Sequence, residues 1–136
     1  MAAGAVSEPA PTLLLVDDDA VFRYTIESVL RAAGYTVIGV DGYEPALTLL
    51  DGPQPVDLLI TDIQMPGGIH GLALGRMALM RRPKLKIIYL TGFKFGAAAK
   101  EASGPILAKP VTNEQLLETV AGQLARPGEG QGRKIA

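Results

Sequence analysis

Four short apolar runs along this chain each end abruptly in a polar residue. Leu13-Leu14-Leu15-Val16 runs into Asp17-Asp18-Asp19, and Val56-Asp57-Leu58-Leu59-Ile60-Thr61 into Asp62. Leu85-Lys86-Ile87-Ile88-Tyr89-Leu90 runs into Thr91, and Pro105-Ile106-Leu107-Ala108 into Lys109. Short runs with little polar alternation suit strands buried on both faces of a parallel sheet. With Thr36–Val40 they predict five strands, at 12–16, 36–40, 56–61, 85–90 and 105–108. Between them, apolar positions recur at helical spacing. Val21, Phe22, Ile26, Val29 and Leu30 predict a helix over 20–33 closed by Gly34, and Ala46, Leu47 and Leu50 one over 43–51. A third spans 71–81 and stops before Pro83, and a weak fourth lies near 96–102. Leu116, Leu117, Val120 and Leu124 mark a fifth over 112–125, with Thr112 as its N-cap. The alternation predicts an α/β fold, a (βα)5 doubly wound five-stranded parallel sheet. Right-handed crossovers place helices on both faces.

Composition narrows the picture by exclusion. A chain of 136 residues suits one domain with one core, and its 48% hydrophobic and 20% charged fractions are ordinary for a globular protein. A net charge of −1 carries no electrostatic footprint for nucleic acid or an anionic membrane, so neither partner is expected. The absence of cysteine excludes disulfides, thiolate metal sites and cysteine nucleophiles. No apolar stretch approaches the roughly 18 residues that span a bilayer. Residues 1–9 have neither a basic stretch nor a long apolar one, so they are not a secretory signal, and the expected location is cytoplasmic. Residues 1–11 read as a flexible lead and 126–136, with three glycines and a proline, as a flexible tail. The working domain is 12–125.

The polar run-ends carry the chemistry. In a parallel α/β sheet they gather at the carboxyl edge, where ligands bind. There Asp17, Asp18 and Asp62 repel one another unless a cation neutralises them. Oxygen ligands without His or Cys suit Mg²⁺ or another hard divalent ion. A carboxylate is also a nucleophile toward phosphorus, giving an aspartyl phosphate. Phosphoryl transfer needs positioning and charge stabilisation. Lys109 offers positive charge, and the Thr91 hydroxyl can donate to a phosphate oxygen.

In Val16-Asp17-Asp18-Asp19 with Arg23 downstream, Thr61-Asp62-Ile63-Gln64-Met65-Pro66, Leu90-Thr91-Gly92 and Lys109-Pro110, the chain closely resembles the receiver domain of bacterial two-component response regulators. The resemblance spans nearly all of 12–125. It implies a flavodoxin-like strand order 2-1-3-4-5 and a signalling domain that catalyses only its own phosphorylation and dephosphorylation. It implies Asp62 as phosphoacceptor, with Mg²⁺ (or Mn²⁺) held by Asp17, Asp18, Asp62 and the backbone carbonyl of Gln64. Asp18 would be the more direct ligand of the Asp17–Asp18 pair. Thr91 and Lys109 would engage the phosphoryl group, and Lys109–Pro110 would be cis. Its implied partners are a sensor histidine kinase or histidine phosphotransferase and a downstream protein target. The start at Met1 and the short tail lead to the expectation of a stand-alone regulator rather than a piece of a hybrid kinase.

Three features depart from the family pattern. The loop Gly67-Gly68-Ile69-His70-Gly71 is one residue longer than in many receivers, like those working with hybrid kinases. The segment from Thr91 to Lys109 is short and glycine-containing, which predicts a short or mobile fourth helix. The switch aromatic normally found three residues before the lysine is Ile106 here, so the switch candidates are Thr91 and Ile106, with Tyr89 and Phe93 as substitutes for the aromatic.

Other residues have plainer readings. Asp19 is expected to cap the first helix, Asp57 to be a turn or surface residue, and His70 a loop residue. Arg81, Arg82, Lys84 and Lys86 read as a solvated helix end. The main rival function is a haloacid-dehalogenase-like phosphatase. Asp17-Asp18-Asp19-Ala20-Val21 fits that family's Asp-x-Asp-x-Val pattern, with Asp17 as nucleophile. It lacks the acidic pair required after the lysine and leaves Asp62 unexplained. The chain could also serve as a phosphate sink or as a phosphorylation-independent receiver module.

Overall fold

A computed structural model describes residues 9–64, 70–92 and 100–126. Its elements are β1 (Thr12–Val16), α1 (Ala20–Ala32), β2 (Thr36–Val40), α2 (Tyr43–Asp51), β3 (Leu58–Asp62), α3 (Gly71–Arg81), β4 (Lys86–Thr91), β5 (Ile106–Ala108) and α4 (Asn113–Ala125). The five strands form one parallel sheet in the order β2-β1-β3-β4-β5. Successive side chains on a strand point to opposite faces. Leu13 and Leu15 accordingly join Leu58, Ile60, Ile88 and Leu90 in a core closed by Ile26 and Leu30 of α1 and Leu116 and Val120 of α4. Leu14 and Val16 join Leu59, Ile87 and Tyr89 on the other face, beneath Ala46 and Leu50 of α2 and Leu72, Leu74 and Ala78 of α3.

The caps form where the local sequence supplies them. The Asp19 side chain accepts from Phe22 N at 3.1 Å and starts α1. The Thr112 hydroxyl accepts from Gln115 N at 3.0 Å and starts α4. His70 is more than a loop residue: its Nδ1 accepts from Ala73 N at 3.3 Å, making it the N-cap of α3. Asp57 is exposed, and its carboxylate accepts from Thr12 N at 2.8 Å, tying the entries of β1 and β3 together.

Two further expectations change. β3 and β4 are displaced toward the C-terminus from the predicted 56–61 and 85–90, so Asp62 and Thr91 are the last residues of their strands. The basic group after α3 is also not simply a solvated helix end. Arg81 pairs with Asp51 at 2.7 Å. Arg82 donates to Leu50 O, Gly52 O and Gln54 O at 3.0, 2.9 and 2.8 Å. Lys86 Nζ donates to Gln123 O and Arg126 O at 3.1 and 2.7 Å. Arg82 and Lys86 thus satisfy carbonyls left over at the C-terminal ends of α2 and α4. Of the predicted helix near 96–102 only 100–102 is described, and no α-helix covers it. The long loop after Pro66, Phe93, residues 1–8 and 127–136 lie outside the described residues, apart from His70 and Gly71.

Candidate functional site

The sheet order places β1, β3, β4 and β5 side by side. Their register aligns Val16 with Thr61, Asp62 with Leu90, and Thr91 with Ala108. Asp17, Asp62, Thr91 and Lys109 therefore meet at one edge, although they are far apart in sequence. The strand order reverses direction between β1 and β3. Such switch points open a crevice at the carboxyl edge.

Asp17 is fully buried and Asp62 is 6% exposed, whereas Asp18 is exposed. One carboxylate oxygen from each lies within 4.8 Å of the others. The two buried acids are held alike. Asp17 accepts from Asp19 N at 2.9 Å through Oδ1, and Asp62 from Gln64 N at 3.2 Å through Oδ1. Their Oδ2 atoms share the Lys109 ammonium, at 3.0 Å from Asp17 and 3.2 Å from Asp62. The Lys109–Pro110 peptide is cis, as the resemblance implied. Burial raises the proton affinity of Asp62; Lys109 lowers it and Asp17 raises it again, and the net result is a carboxyl above the usual aspartate range. For Lys109, burial works against the ammonium, but Asp17 and then Asp62 outweigh it, so it holds its proton more tightly than an ordinary lysine.

The loop after β3 packs closely against the site. Ile63 N donates to Leu90 O and Gly71 N to Ile63 O, both at 2.8 Å. A Cβ on Gly71 would collide with the Asp62 carbonyl, so a glycine is needed where α3 begins. The Thr91 hydroxyl, fully buried, donates to Gln64 Oε1 at 2.7 Å. Arg23 Nη1 donates to the Asp17 carbonyl at 2.7 Å, and Arg23 lies 3.8 Å from the buried Glu27.

The donor set suits a hard cation. Three carboxylates converge, and no His or Cys joins them among the described residues. Asp17, Asp18 and Asp62 are the side chains that would hold it. The four sequence-predicted groups at Asp17, Asp62, Thr91 and Lys109 do assemble, with Asp18 at the rim. Of the switch candidates, Tyr89 is fully buried on β4, paired in register with the half-buried Ile106, and its hydroxyl accepts from Ser103 N at 3.3 Å. Sequence reasoning missed the Gln64 side chain and Phe22. The Phe22 ring centroid lies 4.2 Å from Lys109 Nζ. Phe22 shares helical spacing with Ile26 and so reads as ordinary core. Only the folded position of Lys109, just after β5, reveals its second neighbour.

Comparison with known proteins agrees with the fold and the acids. A model of the response regulator receiver domain family matches residues 13–121. The chain is 34% identical over 116 residues to the response regulator receiver protein CpdR of Brucella abortus, covering 82% of this chain and 95% of CpdR. It is 32% identical to the C4-dicarboxylate transport transcriptional regulatory protein DctD of Rhizobium meliloti over 81% of this chain, though only 24% of DctD. A response regulator receiver protein from Sinorhizobium medicae superposes with a TM-score of 0.80 at 32% identity, over 85% of this chain and 94% of that one. The response regulator TrrA of Thermotoga maritima, solved with Mg²⁺-BeF, gives 0.72 at 28% identity, over 83% and 98%. The chain belongs to the response regulator receiver domain family. It is a two-component signalling domain, and the phosphatase reading with Asp17 as nucleophile falls.

Proposed function

We propose that this domain takes a phosphoryl group from a histidine kinase or histidine phosphotransferase onto Asp62 and signals through protein contact. The observation that carries the reading is the Lys109 ammonium shared between Asp17 Oδ2 and Asp62 Oδ2 beside a three-carboxylate cluster. An Asp62 carboxylate oxygen attacks phosphorus, an O–P bond forms, and the N–P bond of the phosphohistidine breaks, its electron pair leaving with the imidazole nitrogen. Lys109 follows the growing negative charge, and the Thr91 hydroxyl turns from Gln64 toward a phosphoryl oxygen. Asp17, Asp18, Asp62 and the Gln64 carbonyl would hold Mg²⁺ (or Mn²⁺), which supplies positive charge to the phosphoryl oxygens when bound. TrrA, a relative of the same fold, is described with Mg²⁺-BeF, which supports that assignment.

The receiver unit is 12–125, and it acts in the cytoplasm. No helix among the described residues is long and apolar enough to cross a membrane. With Ile106 where receivers carry an aromatic, the change at Thr91 is passed on through Tyr89 or Phe93. Alanine at each, with partner affinity measured with and without phosphorylation, tests this; an unchanged ratio sinks it.

The central experiment incubates the protein with acetyl phosphate and Mg²⁺ and follows it by phosphate-affinity electrophoresis. The shifted band is expected in the wild type and in Asp17→Asn at a reduced rate, and not in Asp62→Asn. A band that survives Asp62→Asn overturns the assignment.

A further inference from the structure

We propose that Phe22 is a positioning residue for Lys109, holding the ammonium inside the site by the face of its ring. This rests on the phosphoacceptor reading above. The ring centroid is 4.2 Å from Lys109 Nζ, well inside the roughly 6 Å reach of a cation–π attraction. The side chain of Lys109 is only 21% exposed, and such contacts strengthen as water is removed.

Three bonds fix where that ring stands, and all lead to the acids. Phe22 N is held by Asp19 at 3.1 Å, and Asp19 N by Asp17 at 2.9 Å. The next residue, Arg23, donates to the Asp17 carbonyl at 2.7 Å. The ring body is partly buried and packs against the core on the α1 and α4 face of the sheet. The same short stretch therefore places the Asp17 carboxylate and the ring that Lys109 meets.

An aromatic face is suited to this task in a way a carboxylate is not. It attracts the cation without a lone pair, so it does not compete with phosphoryl oxygens for the N–H groups. When Asp62 becomes an acyl phosphate, Lys109 must exchange one oxygen partner for another. The ring contact can persist through that exchange. A leucine or isoleucine would fill the space but give no such attraction.

The test replaces Phe22 with pentafluorophenylalanine, which keeps ring size and reverses the ring's attraction for a cation. Phosphorylation by acetyl phosphate with Mg²⁺ should slow by roughly threefold to thirtyfold. Phe22→Leu should slow it similarly, and Phe22→Trp should retain it. In a double-mutant cycle of urea unfolding, Phe22→Leu and Lys109→Met should be coupled. An unchanged rate in the fluorinated protein, or a slowing with no coupling to Lys109, overturns the proposal. A wild type that takes no phosphoryl group on Asp62 would instead sink the phosphoacceptor reading, and the unfolding cycle would still decide whether Phe22 holds Lys109.

Discussion

The Thr91 hydroxyl donates to Gln64 Oε1 at 2.7 Å, so the single proton of that hydroxyl is already engaged. Thr91 must give up that bond to serve phosphate. Replacing Gln64 with Ala removes the competing acceptor and keeps the backbone carbonyl. A neutral hydrogen bond is worth about 0.5–1.5 kcal/mol net. Phosphoryl uptake from acetyl phosphate should therefore rise about twofold to tenfold in Gln64→Ala, read by band shift over time. A slower variant would show that the Gln64 side chain assists transfer.

Asp62 carries a stability cost in the absence of metal. Its folded proton affinity is raised by burial and by Asp17, against the pull of Lys109. A carboxyl with a raised folded pKa destabilises the fold once ionised. That cost is present above the folded pKa and vanishes as pH falls through the window down to the ordinary aspartate value of 3.8. In metal-free buffer Asp62→Asn should unfold at higher urea than the wild type at neutral pH, and the difference should close on acidification through that window. A less stable Asp62→Asn at neutral pH would mean that the Lys109 pairing outweighs burial.

Divalent metal should relieve the same crowding. Mg²⁺ at about 100 times its dissociation constant stabilises a protein that binds it only when folded by about 2.7 kcal/mol. Asp18 is exposed, so Asp18→Asn alone should shift metal-free stability by no more than about 0.5 kcal/mol. It should nevertheless abolish most of the Mg²⁺-dependent gain. Equal stabilisation of wild type and variant in a thermal melt would remove Asp18 from the metal shell.

Tyr89 and Gly75 fit one another. A Cβ on Gly75 would strike the Tyr89 hydroxyl and crowd its ring, which is fully buried. Helix propensity alone would make Gly75→Ala stabilising by about 1 kcal/mol. Overpacking costs about 1–3 kcal/mol, so the net change should be destabilising. Tyr89→Phe should relieve much of it, because the closest atom is the hydroxyl. Urea unfolding of both single variants and the double variant checks this; simple additivity would contradict it.

The apolar runs, the Asp19 and Thr112 caps and the acids at the run-ends were legible in the sequence; the His70 cap was not. Leu13–Val16 and Leu58–Ile60 are buried on both faces, and unbroken apolar composition is the direct imprint of that environment. Asp19 and Thr112 cap their own helices through bonds to residues three positions away, so local sequence suffices. The functional groups were readable because each terminates a strand, and parallel strands carry their ends to one edge.

What tertiary structure decided are contacts whose partners share no local pattern. The Gln64 side chain meets Thr91, and Phe22 meets Lys109 across most of the chain's length. Arg82 and Lys86 read as surface charge until carbonyls 28 to 40 residues away along the chain, at and just beyond the ends of α2 and α4, are brought to them. Periodicity records whether a residue faces the core, because burial acts on one side chain at a time. It does not record which neighbour is met there, because sheet order and register alone set that. In this chain the identity of the acids and the lysine is a property of the sequence. The meeting of Phe22 with Lys109, and of the Gln64 side chain with Thr91, exists only once the strands have paired.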